Sequence, residues 1–196
     1  MIENKNITEV FNALNSQIAL HKGCPLSLVV CGGTALCALG LILRTTKDVD
    51  VLGELLNENN VLTIKPLDSF PDWLIQAATI VQRDFNLSTN WLNTGPKSQL
   101  ELGLPHGFVE RLIKKSYGKF LTIYYISRFD QIHFKLFAAL DRGGYHTDDL
   151  FKLKPSHNEM KLASEWVLTQ DVSEEFKNIL KDFLIQKGFN EIAERF

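Results

Sequence analysis

The chain has 196 residues, of which 45% are hydrophobic and 22% are charged, the composition of an ordinary globular protein with a sizeable core. Its formal charge of −2 argues against a chain-wide basic footprint for nucleic acid, without excluding a local basic patch. No stretch approaches the ~20 apolar residues of a membrane span, and the first residues lack an apolar leader. Together with three cysteines that lack CxxC spacing, these features predict a cytoplasmic protein with reduced thiols.

The first predicted elements are a helix, a buried strand and a second helix. Apolar residues recur at helical spacing from Ile7 to the glycine at 23, and Asn6 with Glu9 resembles a capping pair. Residues 26–31 form a short apolar run that is closed by two glycines, which is typical of a buried strand. A helix follows directly.

Later segments alternate less regularly between strand and helix patterns. They predict strands at 48–52, 61–64 and 121–126, helices at 69–85 and 127–142, and a loop region at 88–107. Two closing helices are predicted to begin at capping pairs, one of Ser156 with Glu159 and the other of Asp171 with Glu174. The order of elements predicts an α+β fold, with a mixed sheet flanked by helices and a helical C-terminal region. We interpret the chain as a single domain, with a core over 1–150 and a helical extension over 151–196.

A glycine turn is the first candidate for chemistry. Gly32 and Gly33 follow a strand and open a helix, so the backbone can approach a bulky anion, and Thr34 adds a hydroxyl. Taken alone, such a turn is more often just a tight connection between strand and helix.

Asp48 and Asp50 are the second candidate. Two residues apart on a strand, they point to one face, while Val49 and Val51 point to the core. Their mutual repulsion would be relieved by Mg²⁺ or Mn²⁺, which is oxygen-ligated and shared with substrate phosphates. Two ordinary surface acids at a strand end are the alternative, which the nearby glycine turn makes less attractive.

These motifs carry a family resemblance. The run Cys31-Gly-Gly-Thr-Ala-Leu, followed by Arg44-Thr-Thr-Lys-Asp-Val-Asp-Val, resembles the nucleotidyltransferase superfamily, near the AbiE-type toxin-like branch of bacteria. Trp91-Leu-Asn, Ser127-Arg-Phe-Asp, Lys135-Leu-Phe-Ala-Ala-Leu-Asp-Arg and His146-Thr-Asp-Asp-Leu are similar to an uncharacterised bacterial family with this core. The resemblance spans about 26–166 and implies a nucleotidyltransferase-like fold, but it does not specify a substrate.

Polar residues further along the chain are weaker candidates. Lys135 lies beside the apolar face of a predicted helix, where a phosphate or a carboxylate such as Asp149 would compensate its charge, and the resemblance implies that it contacts phosphates. A lysine whose stem covers the helix edge is the alternative. Asp149 orients Lys135 or Arg142, or is a capping or surface residue.

Two further positions leave alternatives open. The toxin-like branch tends to have an aspartate where His146 stands, and this histidine is a general base or a polar loop residue. Arg44 contacts phosphate or forms a surface ion pair.

The third carboxylate that nucleotidyltransferases normally place on a neighbouring strand is missing from 121–126. Glu101 and Glu110 are candidates by elimination, and Asn90 and Asn93 are polar residues that can line the site instead. Because this third carboxylate is missing, the alternative to an enzyme is a non-catalytic module that binds a nucleotide or a partner protein. A purely structural protein would have no such site.

The predicted activity is the transfer of NMP from an Mg-NTP to a hydroxyl group. The acceptor would be RNA, for example tRNA, or a protein. The predicted setting is a toxin–antitoxin or phage-defence pair with an antitoxin partner. The predicted site residues are catalytic Asp48, Asp50, Lys135 and Asp149, phosphate-binding Gly32, Gly33, Thr34, Arg44 and Lys135, and metal-binding Asp48 and Asp50.

Overall fold

The computed structural model describes residue 2 and residues 6–196. The chain divides into two compact units, Met1–Ser127 and Arg128–Phe196. The first contains a mixed sheet with helices and the second is helical, so the predicted α+β class is confirmed. The single domain with a core over 1–150 and an extension over 151–196 stays a prediction.

The first unit contains these elements: α1 (Ile7–Leu20), β1 (Leu26–Cys31), α2 (Gly32–Ala38), β2 (Val49–Glu58), β3 (Val61–Lys65), α3 (Asp72–Asp84), β4 (Leu92–Asn93), α4 (Ser98–Leu102), β5 (Ile113–Ser116) and β6 (Leu121–Tyr125). The strands are ordered β3-β2-β1-β6-β5, and β4 pairs with β2. β1 runs antiparallel to β2 and parallel to β6, while the beginning of β2 runs parallel to β4. β1 therefore lies in the middle of the sheet, and the glycine turn follows its last residue.

The sheet forms because alternate residues bury one face. Leu26, Leu28 and Val30 of β1 belong to one apolar cluster, together with alternate residues of β2 and β6. The buried side chains of α1 and α3 join the same cluster. The predicted capping role of Asn6 was wrong, because its side chain makes no cap hydrogen bond to α1.

The second unit consists of helices: α5 (Arg128–Arg142), α6 (Tyr145–Lys152), α7 (His157–Gln170), α8 (Glu174–Gln186) and α9 (Asn190–Ala193). The capping box of Ser156 and Glu159 is confirmed at the start of α7. The cap predicted for Asp171 was wrong, because the Ser173 hydroxyl accepts from the Phe176 amide at the start of α8. Asp171 instead accepts from the Ser173 amide, 2.9 Å away.

Several elements lay outside the predictions. The pattern did not show β5, whose residues are all exposed, nor the short helices α6 and α9. The region 88–107, predicted as a loop, contains β4 and α4. Among the described helices, none combines the length and the apolar character that crossing a membrane requires.

Candidate functional site in the first unit

The glycine turn lies directly against the strand that carries the aspartates. Gly32 has a φ of 67°, and a Cβ there would overlap with Asp50 Oδ2. A Cβ on Gly33 would lie 2.7 Å from Thr46 Oγ1 and 2.8 Å from Arg44 Nη2. Glycine is therefore needed twice, because the backbone passes within contact distance of these polar side chains.

Hydroxyl groups fix the chain where it enters β2. Thr34 Oγ1 donates to the Asp48 carbonyl at 2.6 Å. Thr46 Oγ1 lies 3.3 Å from both the Asp48 carbonyl oxygen and Asp48 Oδ1. Since Thr34 belongs to α2 and Asp48 immediately precedes β2, these bonds tie the glycine turn to the aspartate segment.

Two buried thiols also contact this backbone. Cys31 Sγ lies 3.6 Å from the carbonyl oxygen of Asp50, and Cys37 Sγ lies 3.1 Å from that of Arg44. Both cysteines are buried, and neither forms a disulfide. They therefore support the aspartate segment from within the protein.

The two aspartates adopt the predicted alternation. Val49 and Val51 are fully buried in the core cluster, whereas Asp48 and Asp50 are half-buried. Asp50 lies opposite Cys31 in the β1–β2 register, next to the turn. The structure therefore brings Gly32, Gly33, Thr34, Arg44, Asp48 and Asp50 together. We call these six residues the glycine–aspartate corner.

Asn93, which was predicted together with Asn90 as a polar residue that can line the site, adjoins Asp50. Asn93 pairs with Asp50 in the β2–β4 register, and its Nδ2 lies 3.4 Å from Asp50 Oδ1. Trp91, which is buried, donates from Nε1 to the Ala78 carbonyl at 3.0 Å and anchors this segment to α3. The apolar Trp91-Leu92 pair before a polar residue was the available signal, but a two-residue strand is too short for a recognisable period.

Within the part of the chain that the structure describes, no third acid completes the corner. Glu101 and Glu110 are exposed residues of α4 and of a short 3-10 turn, and the described residues contain no group of three His, Cys, Asp or Glu side chains that could hold a metal.

The neighbouring strand β6 carries a tyrosine instead of an acid. The hydroxyl oxygens of Tyr125 and Tyr117 lie 2.6 Å apart, and burial raises the pKa of both side chains. These groups therefore stay neutral phenols near pH 7.

The oxygen donors of the corner fit a hard divalent cation that takes its remaining ligands from a substrate. Asp48 and Asp50 offer carboxylate oxygens, which Mg²⁺ prefers, and Mg²⁺ is usually held by one or two carboxylates together with substrate phosphates. Gly32 packs so closely on Asp50 Oδ2 that any larger residue at position 32 would displace the carboxylate. Two carboxylates beside a glycine turn match this kind of shared site.

Lys135 and Asp149 form a separate pair within the second unit. Lys135 Nζ lies 2.9 Å from Asp149 Oδ2, and both side chains are at least 95% buried. This pairing was one of the predicted alternatives and is confirmed, whereas Arg142 pairs with Asp141 at 3.3 Å. The catalytic and phosphate-binding roles of Lys135 and Asp149 stay predictions.

Tyr145 adjoins the same pair, and His146 lies beside Tyr145. His146 is buried in α6, so the alternative of a polar loop residue was wrong, while the role of general base stays a prediction. Lys135 Nζ lies 5.7 Å from the centroid of the Tyr145 ring, within reach of a cation–π contact. The lysine charge is therefore balanced by one carboxylate and one aromatic face.

Comparison with known families supports the resemblance seen in the sequence. A family model described as "Nucleotidyltransferase of unknown function (DUF6036)" matches residues 5–145, most of the chain and all of the corner. No curated protein and no solved structure shows significant similarity to the chain. The closer relation to the AbiE-type toxin-like branch stays a prediction.

Proposed function

Because the chain belongs to this family of nucleotidyltransferases, we propose that its corner binds a nucleoside triphosphate with Mg²⁺ or Mn²⁺ and transfers the NMP group to a hydroxyl. An oxygen of the acceptor forms a bond to the α-phosphorus, the bond to the β-phosphate breaks, and pyrophosphate and the hydroxyl proton leave. The observation that carries this proposal is the packing of Gly32 against Asp50, which joins an anion-accommodating turn to a carboxylate.

Each residue of the corner has a defined task. Gly32 and Gly33 let phosphate oxygens approach the backbone, and Thr34 keeps the turn tied to Asp48. Arg44, whose Nη2 faces Gly33, adds positive charge beside the triphosphate. Asp48 and Asp50 hold the cation, which when bound neutralises and orients the triphosphate. We also propose that Lys135 contacts phosphates, as the resemblance implies, and that Asp149 orients Lys135.

We propose RNA, and tRNA within that class, as the acceptor. Arg111, Lys114, Lys115 and Lys119 fall in a stretch without any acidic residue from 111 to 127. The three lysines are exposed and lie on or beside the edge strand β5. Such a basic strip attracts a polyanion, although lysines on an edge strand also prevent aggregation. A toxin–antitoxin or phage-defence role with an antitoxin partner is the setting that we propose for this activity.

A non-catalytic binding module is the second candidate, and one observation favours it. No third acid lies in metal-sharing reach of Asp48 and Asp50 within the described part of the chain. Such a protein would bind Mg-NTP at the corner and leave the nucleotide intact. Binding without pyrophosphate release would support it over the enzyme.

The first experiment is thermal unfolding with each NTP, with and without Mg²⁺. A ligand at ~100 times its dissociation constant stabilises the folded state by about 2.7 kcal/mol. We expect a Mg²⁺-dependent rise in Tm for at least one NTP, lost in Asp48→Asn/Asp50→Asn. Asp84→Asn, at an exposed position in the same unit, should behave as wild type.

The NTP selected in this way then serves in a transfer assay. Label in the α-phosphate should pass to RNA, and the same label on protein would redirect the acceptor assignment. The absence of any NTP-dependent shift would overturn the site assignment.

A further inference from the structure

Asn93 is held beside Asp50 by several contacts of its short segment. The Ser88 hydroxyl donates to the Lys47 carbonyl at 2.7 Å, and the Val49 amide donates to the Trp91 carbonyl. These bonds run between 88–91 and 47–49. They place Asn93 next to Asp50 by backbone pairing rather than by a flexible side chain.

The contacts of the Asn93 amide define which of its ends faces the carboxylate. The Gly95 backbone N–H donates to Asn93 Oδ1 at 2.9 Å, so this oxygen faces away from Asp50. Nδ2 lies 3.4 Å from both Asp50 Oδ1 and the Val49 carbonyl oxygen. The reverse orientation would set an oxygen against two acceptors and Nδ2 against a donor.

The two oxygens of Asp50 therefore have different neighbours. Oδ1 faces the Asn93 amide, and Oδ2 faces the Cα of Gly32. A carboxylate fixed at one oxygen presents the other in a defined direction. Here that direction is the glycine turn, where we place the phosphates.

We propose that Asn93 is a positioning residue of the glycine–aspartate corner, and that its neutral amide makes cation binding dependent on the nucleotide. This inference rests on the proposed function. Asn93 holds Asp50 by donation and adds no negative charge. A corner with two carboxylates leaves most of the coordination sphere of a divalent cation to water and substrate phosphates. A third carboxylate at position 93 would strengthen binding of the bare cation.

The test compares Mn²⁺ binding by wild type, Asn93→Asp and Asn90→Asp. Binding of Mn²⁺ alone is followed by the electron paramagnetic resonance signal of the free ion. Asn90 is exposed and has a φ of 57°, which aspartate tolerates, so Asn90→Asp adds the same charge three residues away. We expect Asn93→Asp to bind Mn²⁺ about 10–100-fold more tightly than the other two proteins.

Asn93→Ala tests the positioning role by removing the amide that contacts Asp50. It should bind Mn²⁺-NTP about 10–100-fold more weakly than wild type in equilibrium dialysis with labelled nucleotide. A thermal unfolding scan of each variant confirms that it is folded. Damage to the fold alone cannot produce the gain of Mn²⁺ binding expected for Asn93→Asp.

The possible outcomes separate this inference from the proposed function. If wild type binds Mn²⁺-NTP and Asp50→Asn does not, but the Asn93 variants match wild type and Asn90→Asp, then the inference on Asn93 alone is overturned. If wild type and Asp50→Asn equally fail to bind Mn²⁺-NTP, the metal–nucleotide site itself is overturned, and the inference falls with it. Tighter Mn²⁺ binding by Asn93→Asp with weaker nucleotide binding by Asn93→Ala supports both.

Discussion

The glycine–aspartate corner and the Lys135–Asp149 pair differ in how their charged side chains are buried and compensated. At the corner, Asp48 and Asp50 are half-buried, and neutral groups such as the Thr46 hydroxyl and the Asn93 amide help to orient them. In the second unit, a lysine and an aspartate compensate each other at 2.9 Å inside the protein.

The difference shows what each region can do for a ligand. A buried pair whose two charges compensate each other contributes to folding, and removing one partner costs much of the free energy of unfolding. The half-buried carboxylates beside the glycine turn cost little free energy to leave hydrated, so their oxygen atoms can bind a ligand. Variants should therefore affect stability most at the pair and ligand binding most at the corner.

The largest expected effect is at the buried pair. Lys135→Met removes the ammonium group but keeps most of the apolar stem, so Asp149 is left as a buried charge without its lysine. We expect a loss of about 3–5 kcal/mol in the free energy of unfolding, measured by urea denaturation. Lys135→Met/Asp149→Leu should recover much of that loss, because it removes both charges.

Lys161→Met is the matched control for this prediction. Lys161 and Glu165 form a pair at 3.4 Å on α7, with side chains that are 33% and 46% exposed. Its loss should cost no more than about 0.5 kcal/mol. Equal effects of Lys135→Met and Lys161→Met would remove the contrast between the two regions.

The second largest effect is expected at the glycine turn, where a substitution should weaken both ligand binding and stability. Gly32→Ala places a Cβ on Asp50 Oδ2 at a φ of 67°. The backbone strain and the displaced carboxylate together should cost about 2–3 kcal/mol. We also expect Gly32→Ala to abolish the Mg²⁺-NTP dependent rise in Tm.

Gly40→Ala separates the backbone strain from the displacement of the carboxylate. Gly40 has a φ of 65°, but a Cβ there has no neighbour within 4 Å. Gly40→Ala should therefore cost only about 1 kcal/mol, from the backbone conformation, and leave the nucleotide response intact. If Gly32→Ala resembled Gly40→Ala in both measurements, the contact with Asp50 would have no functional meaning.

Local patterns predicted the centre of the fold well. The apolar run of β1, its closing glycines and the alternation at Asp48–Val51 each lie within a few residues, so period and turn chemistry suffice to predict them. The exposed strand β5 offered no alternation, and its pairing with β6 depends on tertiary structure. Sequence spacing also predicted that the two motifs belong together, and the contact of Gly32 with Asp50 confirms that proximity.

The sequence suggested Asn93 as a polar residue that can line the site, but it did not predict which residue Asn93 contacts. Its contact with Asp50 joins residues 43 positions apart and depends on the parallel pairing of a two-residue strand. The burial of His146 likewise depends on α6, which is short and weakly patterned. Long-range register and tertiary packing determine both, and neither leaves a local periodic signal.

The smallest expected effect concerns an ion pair near the surface of the second unit, and it tests whether burial or pairing explains the cost at Lys135. Arg128 contacts both carboxylate oxygens of Glu159, and this hydrogen bonding lowers the pKa of Glu159 to about 2. Glu159→Gln keeps the capping box but removes the charge. Because the folded pKa lies below the unfolded one, the wild-type advantage is full above pH ~4.5 and disappears as the pH falls towards 2.

Solvent screening limits that advantage to about 1 kcal/mol near pH 7, since Arg128 is 36% exposed and Glu159 is 21% exposed. Urea denaturation of wild type and Glu159→Gln between pH 2 and pH 7 measures it. The two curves should converge at low pH, because the protonated Glu159 of wild type and the glutamine side chain of the variant are both neutral. A difference as large as that for Lys135→Met would show that pairing itself, rather than burial, sets the stability of this unit.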